Sequence, residues 1–520
     1  MASMLSRAAA IAALLLFGAA SVAAQDAFLT SRDGGISLEG TMLGFDGEFY
    51  RLRTEFGVIT IDAEGVDCEG PGCPDLLRPV ADIRLSGDAS LGQILLPAMV
   101  ETFAATNALL PKRVQETKDR FSYHLIDPTQ DRLVARFHFN LSDSAQGLND
   151  LMEDRADLAM ANRAANADEI ARGQAAGIGD LSGPRRSRIV ALDALVAVVA
   201  SRNPVRRISL EQLAGIRSGK IQSWRELGGT PDAIDLHEMV PDGSTEQFLP
   251  GGGATGETPQ RSGWLLRHES SPGLVDTVAR SPEALGLVRY SKMGHARPLV
   301  LTGSCGRQIS VSPEAIKAED YPLPLPLYLY VPPRRLPLLG REFLDWLNTP
   351  SAEMAVRRAG YVDQVPVEIP VAAQGERLAN AISAAGEEVS LEDLQELVTA
   401  MSGARRLTAT FRFRNGSVNL DAQSEGNLDR LARDIEIGLH DGTEIILAGF
   451  SDGLGPADGN RALSLERAET VSDALRSIIP AADWERVRLT TIGMGEALPL
   501  ACDDSERGRQ TNRRVEVWLR

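Results

Sequence analysis

Histidine and cysteine are scarce in this chain, six and four among 520 residues. His237, His268 and His295 show no metal-ligand spacing, so neither a metal centre nor a bound cofactor is expected. There is no phosphate-cradling loop, and Ser464 falls inside a helical pattern rather than on a sharp strand-to-helix turn. Cys305, in Gly303-Ser304-Cys305-Gly306, has nothing protease-like around it. With no catalytic constellation, the expectation is a protein that is not an enzyme; the competing class is an enzyme whose site is hidden in a large domain. Beyond residue 24 no stretch reaches 18 uninterrupted apolar residues, so no later helical membrane span is expected. Basic residues are also in deficit, 54 against 71 acidic, for a net charge of -17. That balance argues against binding nucleic acid or an anionic membrane as the main role.

At 520 residues the chain exceeds one core, and two to four domains are expected. Residues 1–24 read as a secretory signal peptide: Arg7 marks a positive start, Ala8 to Ala20 is apolar, and Val22-Ala23-Ala24 is a small-residue cleavage site. No cysteine follows that site, so a lipid-anchored form is not expected, and the mature protein should be soluble outside the cytoplasm. Residues 26–80 alternate short strand-like runs with Asp33-Gly34-Gly35 and Asp46-Gly47 turns, a small β module of hairpins. Cys68 and Cys73 flank Glu69-Gly70-Pro71-Gly72, a spacing that suits a local disulfide in an oxidising compartment. Cys305 and Cys502 fall in different expected domains, and their pairing stays open.

From 81 to 363 strands alternate with helices, the α/β pattern. Three strand ends run into polar turns: Ser86-Gly87-Asp88-Ala89-Ser90, Ser142-Asp143-Ser144-Ala145-Gln146-Gly147, and Ala161-Asn162-Arg163. Hydroxyls and N–H groups at successive helix starts suit an oxyanion or another polar solute, although Ser and Asp there are also ordinary helix caps. Residues 364–404, with two prolines followed by an acidic helical stretch, read as a helical spacer. Near the C-terminus the apolar strand Ile445-Ile446-Leu447-Ala448 leads into a Gly-rich loop, Gly449 to Gly455, and then a helix with Leu463, Ala468, Val471 and Leu475 on one stripe. Asp452 ends the strand and Arg467 sits about one turn into that helix, so a carboxylate and a guanidinium can share one crevice. Such a pair suits a zwitterion, the Asp taking an ammonium and the Arg a carboxylate.

The run Gly449-x-Ser451-Asp452-x-x-Gly455, then Asn460, Leu463-Ser464 and Arg467-Ala468, resembles the signature of the OmpA-like peptidoglycan-binding domain. Gly493-Met494-Gly495-Glu496 and Gly508-Arg509-Gln510-Thr511-Asn512-Arg513-Arg514-Val515-Glu516 follow in the same order, and the resemblance covers about 405–520. It implies that Asp452 and Arg467 grip the diaminopimelate of a cell-wall stem peptide, with Asn460 and Arg513 beside them. Phe450 and Ser451 stand where the family usually has His and Thr. A second resemblance, over nearly 280 residues, is to periplasmic phosphate-binding proteins of ABC transporters. Ala191 to Val199, Asn203-Pro204, Gly219-Lys220-Ile221, Trp224-Arg225-Glu226-Leu227-Gly228-Gly229, Tyr328-Leu329-Tyr330 and Phe343 to Leu347 carry it. It implies two α/β lobes, one from about 81–190 and 286–363, the other between them, with a small anion or another polar solute held by Ser86, Asp88, Ser144, Asn162, Ser244 and Thr245. Asn162 falls where phosphate binders carry an Asp, and Ser244-Thr245 lacks the family's intervening Gly, with Asp242 and Glu246 close by. Two carboxylates there oppose phosphate itself.

The whole is then an α/β multidomain protein: signal peptide 1–24, β module 26–80, two-lobed binding-protein fold 81–363, spacer 364–404, and OmpA-like α/β domain 405–520. It is expected in the Gram-negative periplasm, associated with the cell wall and outer membrane through peptidoglycan. The competing reading is an envelope tether whose lobes meet a protein partner in place of a solute.

Overall fold

The computed structural model describes residues 26–520 except 77, 184–185, 241–264, 385–388, 415–416, 418 and 481–483. The expected signal peptide, and the expected solute ligands Ser244 and Thr245, lie outside the described residues.

The first module is a five-stranded antiparallel sheet in the order Gly57–Asp62, Phe49–Thr54, Ser37–Phe45, Asp26–Ser31, Val66–Glu69. Alternate residues Leu29, Met42, Tyr50 and Leu52 make its small core. Cys68, on the last strand, is disulfide-bonded to Cys73. Arg51 reaches Asp154 of the next domain at 2.9 Å.

One long mixed sheet then runs through two lobes. Its central strand, Ser187–Val199, is buried along almost its whole length, hence its mostly apolar sequence, interrupted after Ile189 only by Asp193. Residues 187–194 pair antiparallel with Pro324–Tyr330, and 195–199 pair with Ala284–Arg289. The strand therefore belongs to both lobes. The first lobe sets Ala81–Asp88 parallel between Arg132–Ser142 and Leu158–Ala161, over a core of Ile83, Phe103, Phe137 and Leu327. The second core holds Leu195, Leu236, Leu285, Leu301, Tyr321 and Leu325. The chain thus returns to the first lobe near 325–327, not at 286. The strand Ala284–Arg289 lies parallel to Asp235–Met239 in the second lobe, and its apolar run suits either lobe equally.

The C-terminal sheet runs Glu368–Pro370, Arg405–Phe411, Arg514–Leu519, Glu444–Phe450, Arg488–Gly493. Strict alternation splits its side chains. Ile445, Leu447, Val515 and Val517 face the helices Ala422–Glu436 and Ala457–Ile478. Ile446, Ala448, Phe450 and Trp518 face the other way and pack with Ala381, Leu397 and Met401. Within 364–404, expected as a spacer, Glu368–Pro370 therefore forms an edge strand, and the helices Gly375–Ala384 and Leu391–Met401 form a second layer on this sheet. Their apolar stripe buries against Trp518 and Phe450, so they separate nothing.

Candidate functional site

Asp452 follows the strand Glu444–Phe450 and is 7% exposed. Its Oδ2 accepts from Arg513 Nη1 at 3.1 Å, and Arg513 Nη2 donates to Glu506 Oε1 at 2.6 Å. The loop is braced from behind. Gly453 N donates to Asp503 Oδ2 at 2.9 Å, and Asp503 Oδ1 accepts from buried Asn512 at 2.9 Å. The helix behind lies so close that a Cβ on Gly449 would sit 1.8 Å from the carbonyl oxygen of Ser464, so only glycine fits there.

That helix begins at Ala457, earlier than its apolar stripe suggests, which puts Arg467 ten residues and nearly three turns in, not one. Its guanidinium reaches the site through side-chain length, away from the helix's N-terminal N–H groups. Arg467 is half-buried, and its Nη1 is buried without a hydrogen-bond partner among the described residues. Burial pushes this guanidinium below its ordinary value, the neighbouring Arg513 adds to that, and Asp452 opposes it. An unsatisfied, desolvated cation of this kind favours an incoming anion. Asn460 turns inward, 4% exposed, and its Nδ2 lies 3.5 Å from Gly455 O, where it braces the loop. Phe450 lies in the core under Arg514, whose Cζ is 4.3 Å from the ring centroid.

Beside these residues opens a cleft of about 630 Å³ lined by Arg412, Arg414, Arg467, Gln510 and Arg513, with Asp421, Glu466 and Glu506 also present. Carboxylates and guanidiniums on one wall can hold a ligand bearing both charges. The sequence reading gave no role to Glu506, Asp503 or Asn512, although Asn512 stood within a quoted motif.

Between the lobes the expected solute ligands bond mainly to one another. Asn162 Nδ2 donates to Asp88 Oδ2 at 2.8 Å, Ser144 Oγ donates to Asn162 Oδ1 at 3.0 Å, and Ser90 N donates to Asp88 Oδ1 at 2.9 Å. Asp88, Ser144 and Asn162 are all at most 4% exposed. Ser86 is not brought to this group. Its hydroxyl donates to Asp150 at 2.5 Å and accepts from Asn140 at 3.1 Å. Asp150 lies six residues beyond Ser144 on the same helix, about 9 Å along the axis. Two residues the sequence reading missed stand at the lobe crossing. Asp193, fully buried, accepts from Ser291 Oγ at 2.6 Å, and Tyr361 donates to Ser90 O at 2.9 Å. Burial pushes the Asp193 carboxyl up while Arg289 pulls against it. Asp193 was the one charge inside the apolar run Ala191 to Val199, which was its signal.

Residues 130–351 match a family described as a PBP superfamily domain, and residues 412–513 match the OmpA family. The chain joins a PBP superfamily domain to an OmpA family domain. Over 190 residues it is 26% identical to the phosphate-binding protein PstS of Bacillus subtilis, covering 35% of this chain and 60% of that one. Over 77 residues it is 39% identical to the probable lipoprotein YiaD of Escherichia coli, covering 15% of this chain and 33% of that one. The chain therefore spans less than two thirds of either relative. An ABC-type phosphate transport receptor from Vibrio cholerae superposes with a TM-score of 0.41 at 18% identity, over 54% of this chain and 99% of that one. The Arg467 cleft and the Asp452–Arg513 pair lie in the OmpA domain, with Asp452 outside the cleft's lining, and the Asp88–Asn162 group lies in the two-lobed domain that contains the PBP superfamily match. Among the described residues no helix is long and apolar enough to cross a membrane, and no group of three or more His, Cys, Asp or Glu could hold a metal ion.

Proposed function

We propose that this is an exported envelope protein that holds peptidoglycan non-covalently through its OmpA domain, with diaminopimelate bound between Asp452 and Arg467. The observation that carries the reading is the buried Nη1 of Arg467, without a hydrogen-bond partner among the described residues, near the Asp452–Arg513 pair. The amino-acid end of diaminopimelate is a zwitterion. Its carboxylate would complete Arg467, and its ammonium would share Asp452 with Arg513. The two-lobed domain is then carried at the wall in the periplasm, as a solute-binding module with no enzymatic role. Co-sedimentation of the mature protein with diaminopimelate-containing sacculi tests this. Retention that free diaminopimelate competes away supports it, and a protein left wholly in the supernatant refutes it.

A second reading is favoured by the lobe crossing. Asp88, Ser144 and Asn162 satisfy one another, so a solute must displace bonds already made. On this reading the lobes serve a structural tether and meet an envelope protein partner. A rise in melting temperature with a small anion would separate solute binding from tethering.

A further inference from the structure

The second lobe and the OmpA domain border a half-open cavity of about 440 Å³ where they meet. That volume is in the range of small-molecule sites, which favour domain junctions. It shares no lining residue with the wall cleft. Leu210, Leu301, Ile309 and Pro322 form its wall on the lobe side, Leu500 and Ala501 on the other. The two walls are fixed to each other. Cys502, which lines the cavity, is disulfide-bonded to Cys305, with Cα atoms 5.7 Å apart. Arg307 Nη1 also crosses to the carbonyl of Pro499.

The charges in this cavity are unevenly answered. Asp320 is gripped by both terminal nitrogens of Arg406, at 2.6 and 2.9 Å, and Asp504 accepts from Ser304. Arg307 Nε, in contrast, is buried with no hydrogen-bond partner among the described residues. Burial pushes Arg307 down to about 10, with Arg377 adding to the effect, and burial does the same to Arg507. Both stay cationic at neutral pH. The lining also carries Glu211, but a cavity with an apolar wall and one unsatisfied guanidinium nitrogen beside it favours an anionic group on an apolar body.

We propose that this interdomain cavity binds a small amphipathic acid, its carboxylate on Arg307 and its apolar body against Leu210, Leu301 and Leu500. The site is independent of the wall cleft and of the lobe crossing. Calorimetry on the full chain with decanoate below its micellar concentration tests it, with decanol and decyltrimethylammonium as charge controls. Saturable one-to-one decanoate binding is expected, with decanol roughly tenfold weaker because it lacks the charge-assisted bond, and no binding of the cation. Ala501→Trp, which fills the chamber, should abolish binding, and Arg307→Gln should weaken it roughly tenfold, while sacculus co-sedimentation is unchanged. The proposal is overturned by absence of saturable decanoate binding, by equal binding of decanol, or by binding that survives Ala501→Trp in a normally melting variant. Should Arg307→Gln fail to fold, the Ala501→Trp variant and the alcohol comparison still decide.

Discussion

Asp320 of the second lobe and Arg406 of the OmpA domain meet in a two-pronged ion pair, at 2.6 and 2.9 Å, with Arg406 1% exposed. Arg406 Nε lies 3.3 Å from Glu516 as well, so one buried guanidinium ties a carboxylate of the lobe to a carboxylate of its own sheet.

Breaking that pair should be costly and acid should imitate the break. Asp320→Asn leaves Arg406 with Glu516 alone and should destabilise the domain junction by about 3–5 kcal/mol. Burial works to raise the Asp320 carboxyl, but Arg406 outweighs it and holds it below its ordinary 3.8. A depressed folded-state value adds stability that is present above the unfolded value and lost as pH falls through the folded one. Melting followed from pH 6 to pH 3 should show wild type losing stability below about pH 4, and Asp320→Asn losing less. Parallel acid profiles for the two proteins would contradict the assignment.

At the wall cleft, Asp452→Ala and Arg467→Ala should each weaken sacculus binding by roughly 2–4 kcal/mol, or on the order of a hundredfold. Loss of Asp452 also leaves Arg513 with only Glu506 as an ion-pair partner among the described residues. Titrated co-sedimentation of both folded variants measures this, and unchanged curves would sink the zwitterion reading.

Peptide mapping without reductant should recover two bridged pairs, Cys68–Cys73 and Cys305–Cys502. The second closes a loop with a sequence separation of 197, a constraint worth roughly 5 kcal/mol in the chain-entropy account. Cys305→Ser should therefore lower the melting temperature of the junction far more than Cys68→Ser lowers that of the β module. Free thiols at Cys68 and Cys73 in oxidised material would refute the local bridge.

Inorganic phosphate should bind weakly or not at all. Asp88 already occupies the Asn162 amide, and its carboxylate adds negative charge where a phosphate oxygen would sit. Calorimetry on phosphate-stripped protein checks this; a micromolar or tighter isotherm would restore phosphate as the solute.

Much of the fold was legible because the patterns were regular. The apolar run Ile445 to Ala448 marked the strand that leads to Asp452, and alternating strand-like and helical stretches from 81 to 363 marked the α/β pattern. The return to the first lobe was not legible, since Ala284–Arg289 offers the same apolar run to either side. Residues 364–404 misled for a related reason. Prolines and acidic residues mark a solvated linker, yet Leu397 and Met401 are spent on Trp518, a partner more than a hundred residues away. In the C-terminal domain, motif spacing singled out Asp452 and Arg467. The helix start was missed because its first two turns, from Ala457, carry mostly small and polar residues that leave no stripe. Ser86, two residues before Asp88 on the strand Ala81–Asp88, is taken up by Asp150 and Asn140, a pairing that residue type alone does not reveal.

The OmpA domain touches both lobes, and that bears on movement. Arg406 and Cys502 hold the second lobe, while Arg433 donates to Asn348 O at 2.9 Å and Arg430 lies 3.7 Å from Glu353 in the first. The helix Ala422–Glu436 rests on Ser187–Val199, the strand the lobes share. Under the proposed wall-binding role, a load at the wall would divide between the two lobes and run along the strand they share, in place of hanging from one contact.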